Sequence, residues 1–160
     1  MRGLLMVASV DATPKSPSVK LISGPEMQNL EFRKGENFIP PKDDSQVEIK
    51  LNLGLNRFSE TVLGVELTME IVEVPDLDVQ VAFRAVFEIE NPPEDSSMLD
   101  KHLLHLGGRV APSLLYPFIR EATISALQKA LLAPIVPPIM NFDQVFDLKD
   151  LTVPPQPAVK

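Results

Sequence analysis

Apolar and polar residues alternate along three stretches of the chain. Val47, Ile49, Leu51 and Leu53 interleave with Glu48, Lys50 and Asn52, and Val65, Leu67, Met69 and Ile71 interleave with Glu66, Thr68 and Glu70. Val79, Val81, Phe83, Ala85, Phe87 and Ile89 do the same with Gln80, Ala82, Arg84, Val86 and Glu88. A period of two is the signature of a strand with one buried and one wet face. The connections near Asn56 and at Pro75-Asp76 are too short for parallel crossovers, so an antiparallel meander is predicted. Upstream, Val19 to Ile22 begins another strand, which Gly24-Pro25 interrupts. Met27 to Arg33 is then either a second short piece or the same strand after a bulge. Gly35 to Asp44, with Pro40-Pro41, reads as a loop.

After Asn91-Pro92-Pro93 the period lengthens. Asp95 or Ser96 can cap a helix through Lys101 to Leu106, and Gly107-Gly108 is expected to end it. A second helix has Pro112 in its first turn, where a missing N–H costs nothing, and Pro117 close enough to the start to be tolerated. Its apolar stripe is Leu115, Phe118, Ile119, Ala122, Ala126 and Ala130. Pro134, Pro137 and Pro138 forbid further helix, and Ile139 to Phe146 packs or pairs behind them. The predicted fold class is α+β: a four-stranded antiparallel β-meander followed by two helices packed on one face.

The chain of 160 residues is the size of one domain. The expected division is a flexible N-terminal segment over 1–18, a domain over 19–149 and a mobile Pro-rich tail over 150–160. The opening MRGLLMVASVDA resembles the start of a signal peptide but has one basic residue and a short apolar run, so it reads as a loose end or an extra strand. No run approaches the ~20 apolar residues of a membrane-spanning helix. Zero cysteines exclude disulfides and thiolate metal sites and suit a reducing cytoplasm. A net charge of −7 makes nucleic acid a poor partner and favours basic or unfolded polypeptide.

Candidate catalytic chemistry is thin. His102 and His105 lie near Asp100 without further ligands or an HExxH motif, so no metal site is expected and a helix-surface or capping role is. No GxSxG occurs, and Gly107-Gly108-Arg109 lacks the Lys-Ser/Thr of a phosphate loop. Glu66 and Glu70 share a strand face but stand ~13–14 Å apart, too far for one glycosidic site. No enzymatic activity and no cofactor are expected. What remains is apolar surplus: the strands' odd positions and the second helix's stripe are either ordinary core or more apolar face than a monomer uses. The second reading implies self-association and a groove for extended peptide.

The run Leu114-Leu115-Tyr116-Pro117-Phe118-Ile119-Arg120-Glu121-Ala122-Thr123-Ile124-Ser125, then the Pro-rich turn and Ile139-Met140-Asn141-Phe142-Asp143-Gln144-Val145-Phe146, resembles the signature of SecB, the bacterial protein-export chaperone family. The order of strands and helices and the stretch Glu48-Ile49-Lys50-Leu51-Asn52-Leu53 are similar too, and the resemblance spans roughly Val19 to Lys149. It implies a dimer of dimers joined through the long helices, with Leu115, Phe118, Ile119, Ala122 and Ala126 at the interface. It implies ATP-independent holding of unfolded precursors in apolar grooves lined by Ile49, Leu51, Leu53, Val79, Val81, Phe83 and Phe87. It also implies docking of the export motor SecA on an acidic sheet face, here Glu31, Glu66 and Glu70. Gln80 departs from the family's glutamate, and the tail is Pro-rich where the family's is polar. Both departures suit a chaperone dedicated to one client, such as an antitoxin; a separate alternative is a non-enzymatic adaptor that binds one folded partner through its acidic sheet.

Overall fold

The computed structural model describes residues 15–40, 47–130 and 135–158. Residues 1–14 of the N-terminal segment, and 41–44 of the loop after Gly35, lie outside them. Four strands, β1 (Ser18–Lys34), β2 (Glu48–Arg57), β3 (Val62–Val72) and β4 (Leu77–Glu90), form one antiparallel sheet. Its order is β1-β4-β3-β2. The predicted meander therefore holds for β2, β3 and β4, while β1 crosses over to pair with β4 rather than β2. Three hairpin-joined strands with the fourth returned beside them is a Greek-key order.

β1 is one strand after a bulge. Its register against β4 shifts between Leu21 and Ser23, between Ser23 and Glu26, and again between Met27 and Asn29. Gly24 sits at φ 89 with a would-be Cβ 2.6 Å from the Arg84 carbonyl oxygen, a position only glycine occupies without strain. The β2–β3 turn falls at Phe58 to Thr61, slightly later than the predicted turn near Asn56. There Phe58 N–H donates to the Val62 carbonyl at 2.9 Å. Arg57 braces this turn through the carbonyls of Ser59 (3.2 Å) and Glu60 (2.9 Å) and ties it to Asp100 at 3.2 Å.

Asp95 caps helix α1 (Ser96–His105) by accepting from the Ser97 N–H at 2.8 Å and from the Ser97 hydroxyl at 2.8 Å, and the hydroxyl bond first, then the N–H, holds its carboxyl below the usual carboxylate range. Gly107-Gly108 does not end the helix. The chain continues through a π-helical turn, Leu106–Val110, directly into α2 (Ala111–Lys129). The glycines serve close approach instead: a Cβ on Gly107 would sit 2.8 Å from Leu55 Cδ2, and one on Gly108 would sit 2.8 Å from Leu151 Cδ1. Pro117 consequently stands deep inside one helical run rather than near a start.

The core lies between the sheet's odd positions and this run. Leu63, Val65, Leu67 and Met69 of β3 and Val81 of β4 are fully buried against Leu103, Leu106, Leu115, Ile119 and Leu127. The buried stripe of α2 also takes in Tyr116 and Thr123 and leaves Phe118 41% exposed, a rotation from the predicted one. Thr123 tolerates burial because its hydroxyl donates to the Ile119 carbonyl at 2.8 Å.

Candidate functional site

α2 lies over β4 and β3 and only reaches β1, so the apolar sheet face is unevenly covered. On β4, Val79, Val81, Phe83 and Phe87 are between 0 and 7% exposed and belong to the core. They are four of the seven residues expected to line a groove. Ile49, Leu51 and Leu53 on β2 are half-buried and pack beside the core. β2 is an edge strand of the described sheet, so its alternate backbone N–H and C=O groups face outward. A row of part-covered apolar side chains next to an open backbone edge can accept an extended polypeptide through both.

The expected interface residues on α2 divide in the same way. Leu115 and Ile119 are fully buried in their own chain, whereas Phe118 is exposed and Ala122 and Ala126 are half-buried. Phe118 packs on Phe83 with ring centroids 6.0 Å apart. Sequence reasoning missed the company it keeps: Val110 and Leu114 on the helical run and Leu21, Met27 and Leu30 on β1 are 37 to 45% exposed. The register puts Leu21, Met27 and Leu30 opposite Phe87, Phe83 and Val81, on the helix side of the sheet.

The other face is acidic. Glu31, Gln80 and Glu70 stand directly opposite one another across β1, β4 and β3. They line a depression of about 430 Å³ with Glu73 and Asp78. Gln80 donates to Glu70 Oε1 at 3.0 Å and accepts from Asn29 Nδ2 at 3.2 Å, while Arg33 pairs with Glu31 at 2.8 Å. A glutamate at Gln80 would have put three carboxylates side by side; the amide relieves that. Glu66 lies apart, opposite Arg84.

The motif residues at the two ends of the signature meet. Asn141 caps the short helix α3 (Phe142–Val145) by accepting from Asp143 N–H at 3.0 Å, and Phe142 is buried edge-on against Tyr116 at 5.4 Å. Tyr116 Oη donates to the Pro138 carbonyl at 2.6 Å, and Arg120 Nε donates to that of Pro137 at 2.8 Å. Arg109 Nη1 donates to the carbonyls of Phe142 (2.8 Å) and Phe146. Burial pushes the Tyr116 phenol above its ordinary value, which keeps it a donor. This clamp pins the proline segment along α2 and frames a cavity of about 590 Å³ beside Pro117, Ile124 and Met140. Packing continues to Val153, past the predicted boundary at 149.

Among the described residues no group of three or more His, Asp or Glu could hold a metal ion, and no helix is long and apolar enough to cross a membrane. His102 and His105 are exposed on α1.

A four-stranded antiparallel sheet followed by a long helical run is a SecB-like fold. A SecB-like chaperone of Mycobacterium tuberculosis, solved in complex with a peptide from an antitoxin, superposes at TM-score 0.60 over 76% of this chain and 90% of that one, at 12% identity. The family model described as preprotein translocase subunit SecB matches residues 29–151, and the chain belongs to the SecB family. It is similar to the protein-export protein SecB of Dechloromonas aromatica, 32% identical over 109 residues covering 66% of this chain and 68% of the relative. The SecB of Azoarcus sp. is 27% identical over 123 residues, 74% of this chain and 78% of that one.

Proposed function

We propose that this chain is an ATP-independent holdase that binds unfolded or precursor polypeptides in extended form. The observation that carries the reading is the part-covered apolar row Ile49, Leu51 and Leu53 on an edge strand of a SecB-family sheet. Burying apolar side chains there yields ~25 cal/mol per Å² with little sequence demand, and the strand edge supplies backbone hydrogen bonds, so no nucleotide is required. Val79, Val81, Phe83 and Phe87 share that sheet face two strands away, beyond β3, and are buried in the core of the single chain. The protein acts in the cytoplasm on chains bound for translocation, as the export relatives' names suggest. It assembles as a homotetramer, a dimer of dimers, through the outer side of α2, where Phe118, Ala122 and Ala126 remain open. A SecA-type motor docks on the sheet's acidic face at Glu31, Glu66 and Glu70.

A second reading is favoured by Gln80, which lowers the negative charge of that face, and by the neighbour solved with an antitoxin peptide. In it the same groove serves one dedicated client. Fluorescence anisotropy of a labelled, permanently unfolded polypeptide separates the two. A general holdase binds several unrelated unfolded chains without nucleotide; a dedicated one binds none of them. No binding to any unfolded chain, with the protein folded, refutes the holdase reading.

A further inference from the structure

Gly54 is a glycine that the chain's own fold does not require. It stands in the middle of β2, exposed, at a φ outside the left-handed region. A Cβ added there would meet nothing nearer than Glu66 Cβ at 3.8 Å, an ordinary contact. A β-branched residue would fit and would strengthen an edge strand that glycine weakens. Gly64, its neighbour on β3, is different: a Cβ there would fall 2.6 Å from the Phe58 ring, so packing of Phe58 accounts for it. A strand glycine without such a reason marks a place where a ligand approaches closely.

The space that Gly54 keeps clear belongs to a depression of about 240 Å³ on the outer sheet face. Gly54 and Gly64 contribute bare backbone, and Phe58, 46% exposed, contributes an aromatic ring. Asn56, Glu66 and Arg84 supply polar groups. The register sets Gly54 opposite Glu66, and Glu66 opposite Arg84, across β2, β3 and β4.

A polypeptide strand added to the β2 edge sends alternate side chains to the two sheet faces. When one residue stands beside Gly54 on the outer face, the residues before and after it stand beside Leu53 and Leu55 on the core face. Because Gly54 has no side chain, the outer-face side chain can lean across β2 toward Glu66, one strand spacing of ~4.8 Å further on. An aromatic ring there packs on the glycine backbone and against Phe58. Its tip meets a carboxylate and a guanidinium together. A lysine would face Arg84 and a glutamate would face Glu66, each at like charge, whereas a neutral hydroxyl can donate to one and accept from the other. An aromatic body with a hydroxyl tip is a tyrosine.

We propose that Gly54, Phe58 and Gly64, with Asn56, Glu66 and Arg84, form a subsite for a tyrosine of the bound client. That tyrosine lies in an extended apolar–Tyr–apolar segment whose two apolar residues join the Leu53 and Leu55 row. The assignment rests on the β2 edge as the client site and adds a sequence preference to it.

Fluorescence anisotropy tests it with labelled peptides that share one apolar–X–apolar segment and differ only at X, as Tyr, Ser, Lys or Glu. The full wild-type chain is expected to bind the tyrosine peptide about tenfold more tightly than the serine peptide, and the lysine and glutamate peptides no more tightly than serine. Gly54→Val fills the cleared space without a clash and should abolish the tyrosine advantage while leaving the serine peptide's affinity unchanged. Phe58→Ala, at an exposed turn position, should cut that advantage at least about threefold. Equal binding of all four peptides, a preference for lysine or glutamate, or a tyrosine preference that survives either substitution overturns the subsite and leaves the edge reading standing. No binding of any peptide by the folded wild type overturns both.

Discussion

Replacing Arg109 by methionine tests whether the clamp, rather than the proline segment's own packing, holds the C-terminal part of the chain. The guanidinium donates to the carbonyls of Phe142 and Phe146, at the two ends of the α3 segment. Hydrogen bonds from a charged donor contribute roughly 1.5–3 kcal/mol each when buried. Arg109 is half-buried and water can reach the vacated carbonyls, which brings the expected loss for both bonds down to about 2 kcal/mol. Methionine retains most of the stem volume, so the change reads the donor rather than a cavity. For a chain of this length the loss lowers Tm by about 4–8 °C, measured at one fixed protein concentration because any self-association shifts Tm by mass action. Hydrogen exchange should rise over residues 142–151 and stay unchanged in β3 and β4, whose burial does not involve Arg109. An unaltered melt with unaltered exchange at Phe142 to Phe146 would refute the clamp.

Tyr116→Phe removes the 2.6 Å bond to Pro138 and should cost about 1 kcal/mol in urea unfolding at neutral pH. Because burial raises the folded phenol above its unfolded value near 10, the wild type holds that stabilisation below pH 10 and loses it as pH climbs past 10; the phenylalanine variant should show a flatter alkaline limb, and identical limbs would count against the burial argument. Gly107→Ala pushes a methyl to 2.8 Å from Leu55 Cδ2, the movable end of a half-buried side chain, and regains about 1 kcal/mol of helix propensity, so a net change within about 1 kcal/mol is expected in the same assay, whereas a loss above about 3 kcal/mol would mean Leu55 cannot give way. Gln80→Glu places a third carboxylate between Glu31 and Glu70; a loss on the order of 0.5 kcal/mol at low salt, shrinking in high salt, is expected, and a salt-independent effect would contradict a charge origin.

Strand periodicity located β2, β3 and β4 within a few residues and assigned their buried face correctly, because side-chain alternation is a local property. The partner of β1 is not local. Adjacent strands pair by default, and nothing between Gly35 and Val47 announces a crossover. The glycine pair misled for a related reason: glycine marks both helix ends and close approaches, and only Leu55, Leu148 and Leu151 packed against Gly107 and Gly108 decide between them. The site residues show the same limit. Period two says that Val81 and Leu51 share a face, but not that α2 covers one and leaves the other half-open. The clamp was visible only as a motif. Tyr116 and Arg120 lie far in sequence from Asn141 and Phe142, and the bonds that join the two ends run from Arg109, Tyr116 and Arg120 to backbone carbonyls, which leaves no pattern of its own.

The central claim is that the β2 row binds unfolded chains without nucleotide. Light scattering of a chemically unfolded protein diluted into a few-fold excess of this chain measures that most directly, with Leu51→Asp beside the wild type and the mass of both recorded in solution. Suppression by the wild type, together with its loss in a folded Leu51→Asp variant of the same mass, is the expected result. Equal suppression by both would place client binding elsewhere, and aggregation unchecked by a folded wild type would contradict the claim outright.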